Sequence, residues 1–191
     1  MRHRPIATAA LLLAPLLLAG EAAAQPAPPR LPGWSAERLG QSSGGITEDW
    51  ALRCGGEGCA QGSLACTGFR AAAMPGGPPT LLELADPQRA PIGQLGYWLS
   101  ARLAQERRDV LGPGDVRDTP LSGFALESAG RREVALGQAA LRSSRAQLGA
   151  VLALWPEGER LRGLRCSYRL EQQAEAMARI RALLAALPGP R

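Results

Sequence analysis

Residues 147–169 read QLGAVLALWPEGERLRGLRCSYR, and this stretch sets the fold class. Its first part, QLGAVLALW, is almost entirely apolar and predicts a strand that is buried on both faces. The Pro-Glu-Gly sequence at 156–158 is typical of a tight turn. In the returning segment, Leu164, Cys166 and Tyr168 alternate with polar residues, which is the period of a half-buried strand. The stretch therefore predicts an antiparallel hairpin in which Cys166 faces inward.

Further strands and two helices are predicted around this hairpin. ITEDWALRC, SLACTGFRAAA, TLLELAD, LSGFALES and REVALGQAALR all have strand-like patterns. A helix is predicted from Asp86 or Pro91 to about Val110, and a second one over 170–187. Their apolar stripes are Ile92, Leu95, Leu99 and Leu103 in the first helix, and Met177, Ile180, Leu184 and Leu187 in the second. The order predicts an α+β fold, a mainly antiparallel sheet flanked by two amphipathic helices and similar to an α/β/α sandwich.

The first 24 residues have the layout of a secretory signal peptide. Three basic side chains precede an apolar run of about fifteen residues, and small residues precede Gln25. The run is short for a membrane span, which needs roughly twenty residues. We therefore expect an exported protein, periplasmic or secreted, without a stable membrane span after cleavage. The alternative is an uncleaved N-terminal anchor.

The rest of the chain divides into a linker, one domain and a short tail. Residues 25–45 are rich in proline, glycine and serine and predict a poorly ordered linker. Residues 46–188 carry the predicted helices and strands, and their length suits a single domain. Residues 189–191 form the tail after the last helix.

The composition excludes several classes of chemistry. All 22 basic residues other than the one histidine are arginines, and that histidine, His3, lies in the predicted signal peptide. The usual bases that activate a serine or cysteine nucleophile are therefore missing after cleavage. Lysine-dependent Schiff bases, phosphate loops and histidine metal sites are excluded too, so no cofactor is expected. The net charge of +5 is mild, and no basic surface interleaved with aromatic residues is apparent, which argues against nucleic acid as a partner.

The four cysteines are predicted to form disulfides rather than a metal site. Three lie in CGGEGCAQGSLAC, at Cys54, Cys59 and Cys66, and the fourth is Cys166. Export would place them in an oxidising compartment. The spacing suits neither zinc nor a C-x-x-C redox motif. Of the three possible connectivities we favour Cys54–Cys59 with Cys66–Cys166. The alternative is that the cysteines are free or reactive thiols.

Two sets of charged residues are candidates for a functional site. Arg165 and Arg169 would present forked donors for a carboxylate or phosphate if they share the outer face of the last strand. The alternative is a solvated polar face. A carboxylate pair would be drawn from Glu48, Asp49, Glu83, Asp86, Asp109, Asp115 and Asp118. Of these, Asp115 and Asp118 lie in a loop rich in glycine and proline, where turn formers are equally common.

From Thr80 onward the chain resembles the PsbP-like and DcrB-like exported proteins. The resemblance rests on element order in QLGAVLALWPEGERLRGLRCSYR and LEQQAEAMARIRALLAAL: a buried strand, a tight turn, a second strand and a closing helix. It implies an α/β/α sandwich and a non-enzymatic role in assembly or binding, and it carries over no site residue. The cysteine-rich start departs from the pattern. There, WALRCGGEGC is similar to a short motif of the invasion-associated locus B family.

These features predict an exported, non-catalytic binding or accessory protein of the bacterial cell envelope. Its partner would be an envelope protein or an anionic ligand. The competing hypothesis is a small carboxylate-dependent hydrolase that acts on envelope polysaccharide. That hypothesis requires two acidic side chains that converge in one cleft.

Overall fold

The structure, a computed structural model, describes residues 27–55 and 63–188. The predicted signal peptide, Cys59 and the tail at 189–191 lie outside the described residues. Within them, no helix is long and apolar enough to cross a membrane.

Eight strands of the described chain form one antiparallel sheet. They are β1 (Trp34–Ser43), β2 (Ile46–Cys54), β3 (Leu64–Ala71), β4 (Arg117–Thr119), β5 (Ala125–Ala129), β6 (Arg132–Arg142), β7 (Gln147–Glu157) and β8 (Arg160–Arg169). The spatial order is β1-β2-β3-β8-β7-β6-β4, and β5 also pairs with β6. The predicted α+β fold with a mainly antiparallel sheet is confirmed.

Four helices accompany the sheet in the described residues. They are α1 (Leu81–Ala85), α2 (Ile92–Glu106), α3 (Arg108–Leu111) and α4 (Gln173–Ala186), the last preceded by a 3-10 turn at Leu170–Gln172. The helix predicted to run on to Val110 is interrupted at Arg107, which has non-helical backbone angles. The break separates α2 from α3.

The predicted hairpin lies at the centre of the sheet as β7 and β8. Every residue from Leu148 to Trp155 is buried, so both faces of β7 are covered. Successive side chains of a strand point to opposite faces, and here they join two separate clusters. Leu164 and Cys166 of β8 pack in one cluster with residues of α4. Leu152 of β7 packs in the other with residues of α1, α2 and α3.

Residues 34–43 form β1, so the prediction that 25–45 is a linker was wrong for this part. The strand pairs with β2 along most of its length. Gly44 and Gly45 form the turn between them, each with a positive φ, of 59° and 78°. A Gly-Gly pair between two strands is a recognised hairpin signal, since both positions favour left-handed backbone angles. The local content of proline, glycine and serine concealed it.

TLLELAD, predicted as a short strand, contains helix α1. The helix begins with a capping box, in which the Glu83 backbone amide donates to the Thr80 hydroxyl over 3.2 Å. The Thr80 amide donates in return to the Glu83 carboxylate over 2.9 Å. The T-x-x-E spacing of such a box is readable in the sequence. It outweighs the strand preference of this short apolar run.

Three aromatic side chains of the sheet lie against glycines of neighbouring strands. The register pairs are Trp50 with Gly68, Phe69 with Gly163 and Tyr168 with Gly149. In each pair, a Cβ atom on the glycine would overlap the aromatic ring. Aromatic rings that cover glycines in this way replace the packing that the missing side chain would supply. The three pairs bind β2, β3, β8 and β7 to each other in sequence.

The Cys66–Cys166 disulfide joins β3 to β8, as predicted. The two residues are direct register partners, with Cα atoms 4.0 Å apart, and both are buried. The bridge closes a sequence separation of 100 residues. The Cys54–Cys59 pairing stays a prediction, because Cys59 is outside the described residues.

Replacement of the long bridge is expected to be the more damaging of two cysteine substitutions. In the loop-entropy account, Cys166→Ser costs roughly 4–5 kcal/mol and Cys59→Ser about 2 kcal/mol. Thermal unfolding without reductant measures both variants. A larger loss in Cys59→Ser would contradict the account.

Gly163→Ala is expected to lower the free energy of unfolding by about 2 kcal/mol, because the new methyl group overlaps the Phe69 ring. Gly93→Ala in α2 is the matched control. Its Cβ meets open space, so the substitution should raise stability by about 0.5 kcal/mol through helix propensity. Urea denaturation measures the free energy of unfolding of the two variants and of the wild type. Equal effects at the two positions would rule out the aromatic–glycine contact as the cause.

Candidate functional site

A cleft lies between α2 and the outer strands of the sheet, and strand register sets its floor. Helix α2 packs mainly over β6 and β7, and residues of β1, β2 and β3 line the cleft beside it. Two rows of register partners cross β2, β3 and β8 on this floor: Ala51, Thr67 and Arg165, and Arg53, Ala65 and Ser167. The small side chains at positions 51 and 65 leave a hollow between the longer ones.

The hollow, which we call the α2 cleft, has a volume of about 390 Å³. Its wall includes Arg102, Gln105 and Glu106 of α2 and the neighbouring Arg107. A second cavity of about 250 Å³, lined by the β1–β2 turn and Trp98, adjoins it. Both cavities are lined by Gln41, Glu48 and Arg102, so they form one continuous depression.

A buried arginine links the floor of the cleft to its wall. Arg165 of β8 is 1% exposed. One of its terminal nitrogens, Nη1, donates to Glu48 of β2 over 2.9 Å, and the other donates to Glu106 of α2. Arg102 of α2 also donates to Glu48, over 2.6 Å. The Arg165 guanidinium lies 5.5 Å from the centre of the Trp98 ring. Two arginines and two glutamates therefore neutralise each other where the two cavities meet.

The Glu48 carboxylate is held in its charged form. Burial acts to raise its pKa, but hydrogen bonds and charge from Arg165, followed by those from Arg102, outweigh burial and lower the pKa below its ordinary value. This glutamate is therefore an acceptor for arginines at neutral pH and not a proton donor.

Asp49, the next residue, behaves in the opposite way. The β2–β3 register shifts between Glu48 and Trp50, which is a β-bulge at Asp49. Asp49 lies 3.1 Å from Arg162 and 3.3 Å from Arg70, away from the α2 cleft. Its burial raises the pKa of the carboxyl, and the charges of the two arginines only partly offset this. Successive side chains of a strand point to opposite faces, so the two adjacent acids have different surroundings.

A further arginine, Arg107, contributes to the wall of the cleft. Arg107 is buried and donates from Nη1 to the Ser167 hydroxyl over 2.9 Å. Burial lowers the pKa of Arg107, and the charges of Arg53 and Arg169 act in the same direction. The charges of Asp109 and Glu106 act in the opposite direction and raise the pKa of Arg107.

Of the two arginines predicted as an anion site, only one is accessible. Arg165 and Arg169 point to the same side of β8, as expected from their spacing. Helix α2 covers that side at Arg165, however, so the expectation of an exposed outer face was wrong there. Arg169 is 47% exposed and lies 3.8 Å from Glu171. Whether either arginine takes part in anion binding stays a prediction.

The predicted acidic candidates are scattered in the structure. Glu83 belongs to the capping box, Asp86 contacts Arg89, and Asp115 and Asp118 are exposed. Three carboxylates line the cleft, those of Glu37, Glu48 and Glu106, and only Glu48 was among the candidates. Glu48 and Glu106 are bound to Arg165, and the pKa of Glu48 is lowered. General acid catalysis by a carboxylic acid is favoured by a raised pKa, so the lowered pKa of Glu48 does not suit that role.

Comparisons with known proteins bear on the fold. No protein-family model matches the sequence, and no curated protein sequence matches it. Among solved structures, the chain is similar to cyanobacterial PsbP (CyanoP) from Synechocystis sp. PCC 6803, with a TM-score of 0.52. The chain has a PsbP-like fold. The similarity covers 81% of each chain at 10% sequence identity, so it concerns the fold alone. The predicted resemblance to PsbP-like proteins is confirmed at that level.

The opposite pKa shifts of adjacent acids predict opposite responses to pH. The stability contributed by Glu48 is present above its unfolded pKa near 4.5 and is lost as pH falls below it. The pKa of Asp49 is higher in the folded state than in the unfolded chain, so the folded state binds the proton more tightly. Protonation of Asp49 therefore favours folding as pH falls. Glu48→Gln should therefore lower the free energy of unfolding by about 2 kcal/mol at pH 7, and Asp49→Asn should lower it by less. Urea denaturation at pH 7 and pH 4 tests this; equal losses in both variants at pH 7 would contradict it.

Proposed function

We propose that the protein is an exported, non-catalytic binding or accessory protein of the bacterial cell envelope, and that its ligand or partner occupies the α2 cleft. The observation that carries the proposal is the cleft itself. Its volume of about 390 Å³ lies within the range of small-molecule sites, and it is equally open to a protruding side chain of a partner.

The cleft suits binding because its charged groups are already in place. Arg165 is held by Glu48 and Glu106, and Trp98 in turn contacts Phe69 edge to face, with ring centres 5.1 Å apart. A site that is ordered before binding loses little conformational entropy when a ligand enters. The same contacts leave Glu48 and Glu106 engaged with arginines, which favours recognition over acid–base chemistry.

Three features support export and a place in the cell envelope. Residues 1–24 have the pattern of a cleaved signal peptide. The Cys66–Cys166 bridge is of a kind that persists in oxidising compartments such as the periplasm or the exterior. The PsbP-like fold agrees with an accessory role. We further infer an α/β/α sandwich in which α4 and α2 are the amphipathic helices, since their buried residues belong to different clusters.

The proposal is tested by filling the cleft. Ala65→Trp places a large ring on its floor, and Gln105→Trp, at an exposed position of α2, narrows it without disturbing the sheet. Ala125→Trp, at an exposed position of β5 outside the lining of the cleft, is the matched control. The wild type and the three variants are expressed with the full leader, purified from the exported fraction without reductant, and analysed by native mass spectrometry.

The expected result is a chain that lacks residues 1–24 and carries a bound small molecule or protein. The wild type and Ala125→Trp should retain this species, and both cleft variants should lose it. The result that would overturn the proposal is retention by all four proteins, or a wild type that carries nothing in the exported fraction. Circular dichroism confirms that each variant is folded; if Ala65→Trp is not, Gln105→Trp decides.

A further inference from the structure

The cavity that adjoins the α2 cleft, which we call the Trp98 pocket, combines an aromatic ring with uncharged polar groups. It has a volume of about 250 Å³, and Trp98 and Arg102 of α2 line its helical side. Gln41 and Ser43 of β1 and Ile46 of β2 line its strand side. Its volume lies just below the range of drug-sized ligand sites, so it admits a ligand of about one six-membered ring.

The charges of the Trp98 pocket are balanced by contacts within the protein. In the part of the chain that the structure describes, its charged lining residues are Glu48 and Arg102. Arg102 donates to the Glu48 carboxylate over 2.6 Å. The same carboxylate accepts from Arg165, which Glu106 also binds. A charged ligand would have to compete with these ion pairs, so the pocket favours a ligand without net charge.

The surfaces of the Trp98 pocket are held in place before a ligand enters. The Arg165 guanidinium lies over the Trp98 ring, 5.5 Å from its centre, and Phe69 meets the ring edge to face. The ring is nevertheless only half-buried and contributes surface to the pocket. Beside it, the hydroxyls of Ser42 and Thr47 join β1 to β2 over 2.9 Å. A pre-formed surface of this kind limits the entropy that is lost on binding.

We propose that the Trp98 pocket binds one ring of an uncharged saccharide, which continues into the α2 cleft. The inference rests on the proposed function, since it names the class of ligand for the same depression. One side of a pyranose ring exposes C–H groups, which pack on the negative face of an aromatic ring. The hydroxyl groups around the sugar ring then meet the amide of Gln41 and the hydroxyl of Ser43. A few polar groups of this kind fix the orientation of a ligand whose apolar side supplies the burial.

The test measures the binding of two uncharged sugars, N-acetylglucosamine and maltose, with glucuronate as the charged comparison. Each is titrated into protein purified from the exported fraction, and binding is followed by calorimetry and by tryptophan fluorescence. Trp98→Leu removes the ring, and its matched control is Tyr97→Leu, at a neighbouring residue that is 78% exposed and does not line the pocket. Gln41→Ala removes one polar contact, and its control is Gln94→Ala, at an exposed position of α2 outside the lining.

We expect the wild type to bind at least one uncharged sugar at millimolar concentration and to bind glucuronate more weakly. Trp98→Leu should weaken binding about tenfold through the lost aromatic contact, and Gln41→Ala about fivefold through one lost neutral hydrogen bond. Tyr97→Leu and Gln94→Ala should bind as the wild type does. Trp98→Phe keeps an aromatic ring, so it should retain most of the affinity and lose the fluorescence change that the sugar causes.

The inference is overturned if neither uncharged sugar binds the wild type at millimolar concentration, or if glucuronate binds more tightly than both. It is also overturned if the two control variants weaken binding as much as Trp98→Leu and Gln41→Ala do. Circular dichroism establishes that each variant is folded. If Trp98→Leu is not, Gln41→Ala and the fluorescence of Trp98→Phe decide.

This inference and the proposed function can fail separately. Loss of the co-purified species in both cleft-filling variants, with no binding of either uncharged sugar, would leave the α2 cleft as the binding site and remove the saccharide. Sugar binding that depends on Trp98 and Gln41, in a protein that retains its co-purified species in both cleft-filling variants, would leave the Trp98 pocket as a saccharide site and remove the proposed partner site.

Discussion

The buried Arg165 guanidinium is the group on which the arrangement of the cleft depends. It belongs to the central strand β8, yet it is bound by a glutamate of β2 and another of α2. A charge that is 99% removed from solvent is strongly destabilising unless opposite charges neutralise it. Each of the two acids therefore has to stay near it, and the position of α2 over the sheet follows. The edge-to-face pair of Trp98 and Phe69 lies beside the same contact.

The position of α2 divides one face of the sheet into a covered part and an open part. Over β6 and β7 the helix covers an apolar surface. Towards β3 and β2 it makes separate contacts, Trp98 with Phe69 and Arg102 with Glu48, and the α2 cleft opens beside them. The charged residues lie along this boundary, where they can be neutralised on one side and hydrated on the other. A polar cleft therefore forms because α2 does not extend across the full width of the sheet. The disulfide and the aromatic–glycine pairs keep the strands beneath it in register.

The elements predicted correctly from sequence are those whose surroundings are uniform along the chain. The run QLGAVLALW, for example, is buried on both faces from Leu148 to Trp155. The errors have long-range causes. Alternation in β8 indicated a solvent face at Arg165, because the sequence does not show that α2 covers it. The network also needs Glu48, which is set by a β-bulge, and Glu106, which comes from a distant helix. Strand β1 was not predicted because the proline, glycine and serine content of residues 25–45 is typical of a linker. The Gly44-Gly45 pair, which is typical of a hairpin turn, is the signal that indicates the strand.

The most direct test of this account is amide hydrogen exchange in an Arg165→Gln variant. Arg165 binds Glu106 of α2, whereas the buried residues of α4 pack in the other cluster. The account predicts faster exchange than in the wild type in α2 (Ile92–Glu106), with exchange in α4 (Gln173–Ala186) unchanged. Unchanged exchange in α2, or an equal acceleration in both helices, would contradict the claim that this ion network positions α2 and shapes the cleft.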